Sequence, residues 1–139
     1  MAMLALAHGA QGLLHHGLYF AAGPEREAYY LPTDAPDLWN GMKATNEMVA
    51  QLRDPLTRGA YRGCEVTGSM HAAAWDLDGR TYALAVSASP EGGLAAFRLP
   101  GSAPEALLRA DSGAPALRGE SGAFTDDFPP YGARIYVSE

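Results

Sequence analysis

A tight-turn signal near the middle of the chain constrains the fold more than any other feature. Asp78-Gly79 stands between two apolar segments, residues 71–77 and 81–88, and supplies the two positive-φ positions that a two-residue hairpin turn requires. Successive side chains of a strand point to opposite faces, so the second segment has two distinct faces, Tyr82, Leu84 and Val86 against Ala83, Ala85 and Ser87. We therefore predict an antiparallel hairpin that covers a core on one side.

Short segments separated by turn residues continue to the end of the chain. Further strands are predicted at residues 94–99, 106–110 and 133–138, each bounded by glycine, proline or aspartate. Together with the hairpin they give about six to eight short strands, which is typical of two packed antiparallel sheets. The predicted fold class is therefore mainly β, with an antiparallel β-sandwich over residues 61–139.

The first 60 residues have a helix–strand–helix pattern. Good helix formers at residues 2–8 end at Gly9, and the mostly apolar run at residues 13–20 is typical of a buried strand. This order is that of a βα repeat entered halfway. We therefore predict that the chain begins inside a larger fold.

A longer helix is predicted to follow. Thr33 or Asp34 can cap its first turn, and Pro55 and Gly59 are expected to end it after about Arg53. Apolar residues repeat within it at intervals near 3.6 and predict one buried stripe, formed by Leu38, Met42, Met48, Val49 and Leu52.

Five segments carry a family resemblance, and they lie in the order 5–14, 38–47, 52–56, 71–75 and 124–136. The first segment resembles the end of the seventh helix and the eighth strand of a (β/α)8-barrel glycoside hydrolase of the beta-galactosidase-like kind. The next two resemble the eighth helix and its exit, and the last two resemble the accessory sandwich domain. The resemblance implies that residues 1–60 are the terminal βα unit of a barrel and that residues 61–139 are the accessory domain.

The same resemblance implies that the reaction takes place elsewhere. The family's two catalytic carboxylates stand at the ends of the fourth and seventh barrel strands, upstream of the matching segments. Glycoside hydrolysis needs an acid and a second carboxylate about 5–10 Å apart, whereas the acidic residues here suit caps, turns and loops, including Asp126 and Asp127 before Phe128. Glu25 and Glu27 alone lie on the active-site side of a barrel, and a surface loop is the favoured interpretation for them. We predict no catalytic residue and no cofactor.

Candidate substrate contacts lie at the end of the predicted strand. The resemblance implies that His15 or His16 faces the sugar-binding cleft, with Tyr19 and Phe20 beside it to stack on a pyranose ring. Adjacent strand residues point to opposite faces, so His15 and His16 cannot both line one site. A core histidine bonded to a backbone carbonyl is an equally good interpretation.

No metal site is predicted, because zinc normally takes three or four converging ligands. We expect Cys64 and His71 to lie in a different layer of the fold from His8, His15 and His16. Cys64 itself is expected to be a small buried filler, since a single cysteine forms no internal disulfide and few thiols are activated.

Charge and hydropathy exclude two classes of partner. The net charge is −6 and no run of Lys or Arg is present, so we expect no nucleic-acid partner. The apolar N-terminal stretch lacks Lys or Arg before Arg26 and is interrupted by His, Gly and Gln, which is unlike a signal peptide or a membrane span. We expect a soluble, cytoplasmic protein.

Two functions of different classes stay open. The chain is either the C-terminal part of a glycoside hydrolase, bracing its barrel, or a stand-alone β-sandwich that binds carbohydrate or assembles with other proteins. The second function would use Trp75 or Tyr19 as a sugar platform, although Trp39 and Trp75 are expected to anchor cores. An apolar strand at residues 12–20 needs its edges paired. The pairing strand would come from its own sandwich, from a second copy or from a missing barrel.

Overall fold

A computed structural model describes residues 2–15, 19–20, 29–101, 104–110 and 115–138, and shows a mainly β chain, as predicted. The helices are α1 (Ala2–Ala7), α2 (Leu31–Asp34), α3 (Pro36–Gln51) and α4 (Arg53–Arg58). The strands are β1 (Tyr19–Phe20), β2 (Tyr29–Tyr30), β3 (Ala60–Gly63), β4 (Glu65–Val66), β5 (Met70–Leu77), β6 (Arg80–Ser87), β7 (Gly93–Arg98), β8 (Ala106–Arg109), β9 (Leu117–Arg118), β10 (Ala123–Phe128) and β11 (Ala133–Ser138).

Two antiparallel sheets form the body of the chain. The larger has six strands in the order β3-β5-β6-β11-β8-β9, and the smaller has three in the order β10-β7-β4. A separate ribbon pairs β1 with β2. Strands predicted at residues 94–99, 106–110 and 133–138 are confirmed within a residue or two as β7, β8 and β11. The sandwich arrangement is therefore also confirmed.

The hairpin prediction is confirmed in its register as well as its turn. β5 and β6 pair along their full length, from Met70 opposite Ser87 to Leu77 opposite Arg80. Asp78 and Gly79 have φ angles of 50° and 79°, as a type I′ turn requires.

The prediction that this hairpin covers a core on one side is wrong, because both of its faces are buried. The first face carries alanines, namely Ala72, Ala74, Ala83 and Ala85, and packs against the smaller sheet. Aromatic rings fill the space that these small side chains leave. Phe97 lies with its centroid 5.7 Å from that of Phe124 and 5.3 Å from that of Tyr136. The alanines of the hairpin thus face large rings of the smaller sheet and of β11 in the sandwich core.

The second face of the hairpin packs against helices. Four residues of this face share a core with Met3, Leu6 and Ala7 of α1, with Leu52 and with Leu56 of α4; they are Ala73, Trp75, Leu84 and Val86. Trp75 is 2% exposed, which confirms it as a core anchor and removes it as a carbohydrate platform. The larger sheet is therefore the middle layer of three.

The predicted N-terminal strand is wrong over most of its described length. Residues 10–15 are irregular, and strand pairing begins only at Tyr19, where Tyr19–Phe20 pairs with Tyr29–Tyr30. Residues 16–18 lie outside the described part. Three histidines and three glycines between residues 8 and 17 weaken a strand and explain why the apolar run was misleading.

The predicted single helix is three helices. Asp34 does not cap the long helix but accepts a hydrogen bond from the Tyr30 backbone N–H at 2.5 Å, and α3 begins after Ala35 without a side-chain cap. The long helix ends at Gln51, two residues before the predicted end, and Pro55 lacks the N–H that would bond the Gln51 carbonyl. Pro55 itself lies in the first turn of α4, where backbone N–H groups have no helical partner. Gly59 ends α4 as predicted. A Cβ there would lie 2.5 Å from the Pro55 carbonyl oxygen.

The predicted buried stripe of the long helix is only partly correct. Leu52 is fully buried, but Leu38 is 57% exposed and no residue of α3 is buried. Trp39 is half-buried rather than a core anchor, and the Lys43 ammonium lies 5.9 Å from its ring centroid. Only the C-terminal end of α3 contacts the core, through the partly buried Met48 and Val49.

We expect Leu84→Ala to lower the free energy of unfolding by about 2–5 kcal/mol, because it leaves a cavity in the helix-facing core. The matched control is Leu94→Ala on β7, which is 80% exposed and should change the stability by less than about 0.5 kcal/mol. Urea denaturation followed by circular dichroism measures both. Equal effects of the two substitutions would contradict a helix-covered second face.

Candidate functional site

The predicted substrate contacts are only partly within the described residues. His15 is exposed, and its Nε2 lies 2.9 Å from Oδ1 of Asn46 on α3. The backbones of Tyr19 and Phe20 belong to the β1–β2 ribbon, and His16 lies outside the described residues. The structure thus connects His15 to a helix. The sugar-contact role of His15, His16, Tyr19 and Phe20 stays a prediction.

A cleft of about 340 Å³ lies beside this contact, between the irregular N-terminal segment and the helices. Its lining mixes apolar side chains with amide, hydroxyl and guanidinium groups, including Gln11, Leu13, Asn46, Val49, Arg53 and Thr57. Such a mixture of an apolar wall with hydrogen-bond donors is common in sites for small polar ligands. No carboxylate lies among these lining residues.

A buried polar cluster links the two sheets. Asp126 on β10 is 5% exposed, and its carboxylate accepts hydrogen bonds from both Nε and Nη2 of Arg109 on β8. The Tyr136 hydroxyl on β11 donates to the same carboxylate at 2.8 Å, and Arg134 Nε lies 3.6 Å away. Because β10 belongs to the smaller sheet and β8 and β11 to the larger, this cluster fixes the sheets to each other.

The location of Asp126 corrects a prediction from sequence. Asp126 and Asp127 were expected in a loop, but both lie on strand β10, with Asp126 facing inward between Phe124 and Phe128. The alternation Phe124-x-Asp126-x-Phe128 is a strand signal. It was masked by the two adjacent acids, which are unusual in strands.

The partners of Asp126 decide its protonation state. Burial by itself raises the pKa of this carboxyl, but hydrogen bonds from Arg109, Tyr136 and the Asp127 backbone, together with the Arg109 charge, outweigh it and lower the pKa below the usual 3.8. Burial and the neighbouring carboxylate raise the pKa of the Tyr136 hydroxyl well above 10. Asp126 is therefore an ionised acceptor and Tyr136 a neutral donor. This arrangement stabilises the fold and offers no proton to a leaving group.

The single thiol is inert, as predicted. Cys64 is half-buried against the sandwich core. Burial raises its pKa to about 11, although the positive charge of Arg62 acts in the opposite direction. A nucleophilic cysteine needs the opposite shift.

Two histidines that were expected in different layers are in contact. His8 directly follows α1 and His71 lies on β5, yet His8 Nε2 and His71 Nδ1 are 2.8 Å apart. Their ring planes are inclined by 67°. Because the two histidines are 63 residues apart, no local sequence pattern indicates this contact. It depends on the packing of α1 on the outer face of the larger sheet. Among the described residues, no group of three or more His, Cys, Asp and Glu could hold a metal ion.

None of the helices in the described ranges is both long and apolar enough to cross a lipid bilayer.

Comparison with known proteins gives a similarity of fold. No protein-family model matches the chain, and no curated protein matches it. A variant of AmyP in complex with maltotriose superposes with a TM-score of 0.58 at 14% identity, over 72% of this chain and 21% of AmyP. The Anoxybacillus alpha-amylase gives a TM-score of 0.50 at 18% identity, over 73% of this chain and 22% of the amylase. The chain thus spans about a fifth of the length of these glycoside hydrolases and shares the fold of that part.

We expect Asp126→Asn to destabilise the protein at neutral pH by about 3–5 kcal/mol, because it leaves the Arg109 charge without its buried partner. Since the folded-state pKa of Asp126 is lowered, the ionised carboxylate stabilises the fold fully above the unfolded value near 3.8. This contribution is lost as the pH falls through the folded-state pKa. The difference between wild type and variant should therefore shrink on acidification.

Asp127→Asn is the matched control, because Asp127 is next to Asp126 in the sequence and its side chain is exposed. Unfolding free energies measured in urea between pH 7 and pH 3 compare the three proteins. A wild-type advantage over Asp126→Asn that stays constant through this range would contradict a stabilising role for the ionised carboxylate.

Proposed function

We propose that this chain is the C-terminal part of a larger glycoside hydrolase, where it braces the catalytic domain and takes no part in the chemistry. The support is the fold similarity to glycoside hydrolases over 72% of the chain, together with the small share, 21%, of the neighbour that it spans. The beta-galactosidase-like assignment stays a prediction. The enzymes named above are of the amylase kind.

The observation that carries the proposal is the helix-covered second face of the larger sheet. Leu6 lies on α1, Leu52 lies between α3 and α4, and Leu84 lies on β6; each is 0% exposed. A sheet that served only as a free-standing sandwich would turn one face to water. Here the helical segment and the sandwich share one core, so a force on the helices is transmitted directly to the sheet.

The exposure of the long helix favours a contact with another part of the proposed enzyme. α3 has 16 residues, none of them buried, and its apolar Leu38 is 57% exposed with Met42 one turn further along the same face. Amphipathic helices gain most of their stability from covering their apolar face. In the proposed enzyme this face contacts the rest of the barrel. The β1–β2 ribbon would extend the pairing to further barrel strands.

The proposed non-catalytic role agrees with the state of the acidic residues. Asp126 is the buried carboxylate among the described residues, and it is held ionised by Arg109 and Tyr136. Glycosidases need one carboxylic acid that keeps its proton until the leaving oxygen takes it. In the proposed enzyme the reacting pair is therefore supplied by the barrel, and any sugar contact of His15, His16, Tyr19 and Phe20 would be auxiliary.

The test begins with the coding sequence and ends with an assay. We expect the reading frame to continue upstream of Met1 into a strand that ends in glutamate, and an in-frame stop codon directly upstream would contradict the proposal. We also expect the purified 139-residue chain to hydrolyse none of a panel of aryl glycosides. Turnover that is abolished by Glu25→Gln or Glu27→Gln would show that the chain itself is catalytic.

A further inference from the structure

The hydrogen bond between His8 and His71 brings two metal-binding nitrogens together. Imidazole nitrogens bind transition metals at about 2.0–2.1 Å, so two of them at right angles around one ion are separated by about 2.9 Å. Tetrahedral angles would separate them by about 3.3 Å. The observed separation of His8 Nε2 from His71 Nδ1 is 2.8 Å. This is the length of a hydrogen bond, and it is close enough to both ligand separations that small rotations of the rings would bring both nitrogens onto one ion.

The backbones that carry the two rings are fixed. His71 lies between the buried residues Met70 and Ala72 on the central hairpin. The His8 N–H donates to the Leu4 carbonyl, and the Tyr61 hydroxyl donates to the Ala7 carbonyl at 3.2 Å. A chelate built on rigid elements loses little conformational entropy when an ion binds. His8 is exposed and His71 is half-buried. An ion can therefore reach the two rings, and water can fill its remaining coordination positions.

We propose that His8 and His71 form an open two-histidine site for a divalent transition-metal ion, Cu²⁺ before Ni²⁺ and Zn²⁺. In the metal-free pair one ring donates its N–H to the other ring's lone pair. On binding, the donating ring moves that proton to its other nitrogen, so both facing nitrogens present lone pairs and no proton is lost overall. The order of affinity follows from the Irving–Williams series.

The ion would join α1 to the sheet. It would bridge two residues that lie 63 positions apart and that meet only in the folded chain. Binding is therefore linked to folding, and the metal stabilises the native state in proportion to its affinity. A net charge of −6 also favours a cation at the surface over an anion.

The experiment uses Cu²⁺ alone with the purified chain, and compares wild type, His8→Gln, His71→Gln and the double variant His15→Gln/His16→Gln. The double variant is the matched control, because it removes a neighbouring pair of histidines that could also bind copper. We expect one equivalent of Cu²⁺ with two-nitrogen hyperfine structure in electron paramagnetic resonance and a raised melting temperature. Each of the first two substitutions should weaken binding at least about tenfold, since losing a ligand costs more than losing its supporting partner.

Three results would overturn the proposal: no Cu²⁺ binding at millimolar concentration, unchanged binding in His8→Gln or in His71→Gln, or loss of binding only in the double variant. His8→Gln changes an exposed residue after the helix end, so it keeps the test valid even if His71→Gln fails to fold. Glycosidase assays do not enter the outcome. Failure here therefore leaves the proposed function untouched.

Discussion

The structure depends on the burial of one hairpin on both faces. β5 and β6 carry alanines towards the smaller sheet and Trp75, Leu84 and Val86 towards the helices. If either face were exposed to water, one of the two cores would lose the hairpin side chains that form one of its sides. The division of sizes explains how three layers fit together, because the alanine face lets aromatic rings approach closely while the helical layer is held by larger aliphatic side chains.

The sequence predicted the elements of this arrangement better than their partners. The Asp78-Gly79 turn and the strands around it follow from local rules, and they were correct. The prediction of a core on one side of the hairpin is wrong because alanine, which dominates one face, is compatible with both water and a core. The prediction that Leu38 is buried is wrong, because periodicity shows that a helix has an apolar face without showing what covers that face. The Asp126 cluster and the His8–His71 contact depend on elements far apart in sequence, so no local pattern could indicate them.

The two pairs of neighbouring layers are joined by different kinds of contact. The Arg109–Asp126–Tyr136 cluster joins the two sheets at one place inside the sandwich, while the helical layer is joined to the larger sheet by apolar contacts and by the imidazole pair at its edge. A rigid three-layer body of this kind suits a domain that supports another. Its buried acidic residue, Asp126, takes part in this internal attachment.

The position of β11 has a consequence for biosynthesis. It is the final strand along the described sequence, yet it lies between β6 and β8 in the middle of the larger sheet. While the ribosome is still producing this segment, the nascent hairpin presents an open edge at β6, and the β8–β9 pair lacks the strand that connects it to the hairpin. Open edges of this kind recruit other polypeptides. The larger sheet therefore closes only after β11 has been synthesised, and until then its edge at β6 is open to other polypeptides.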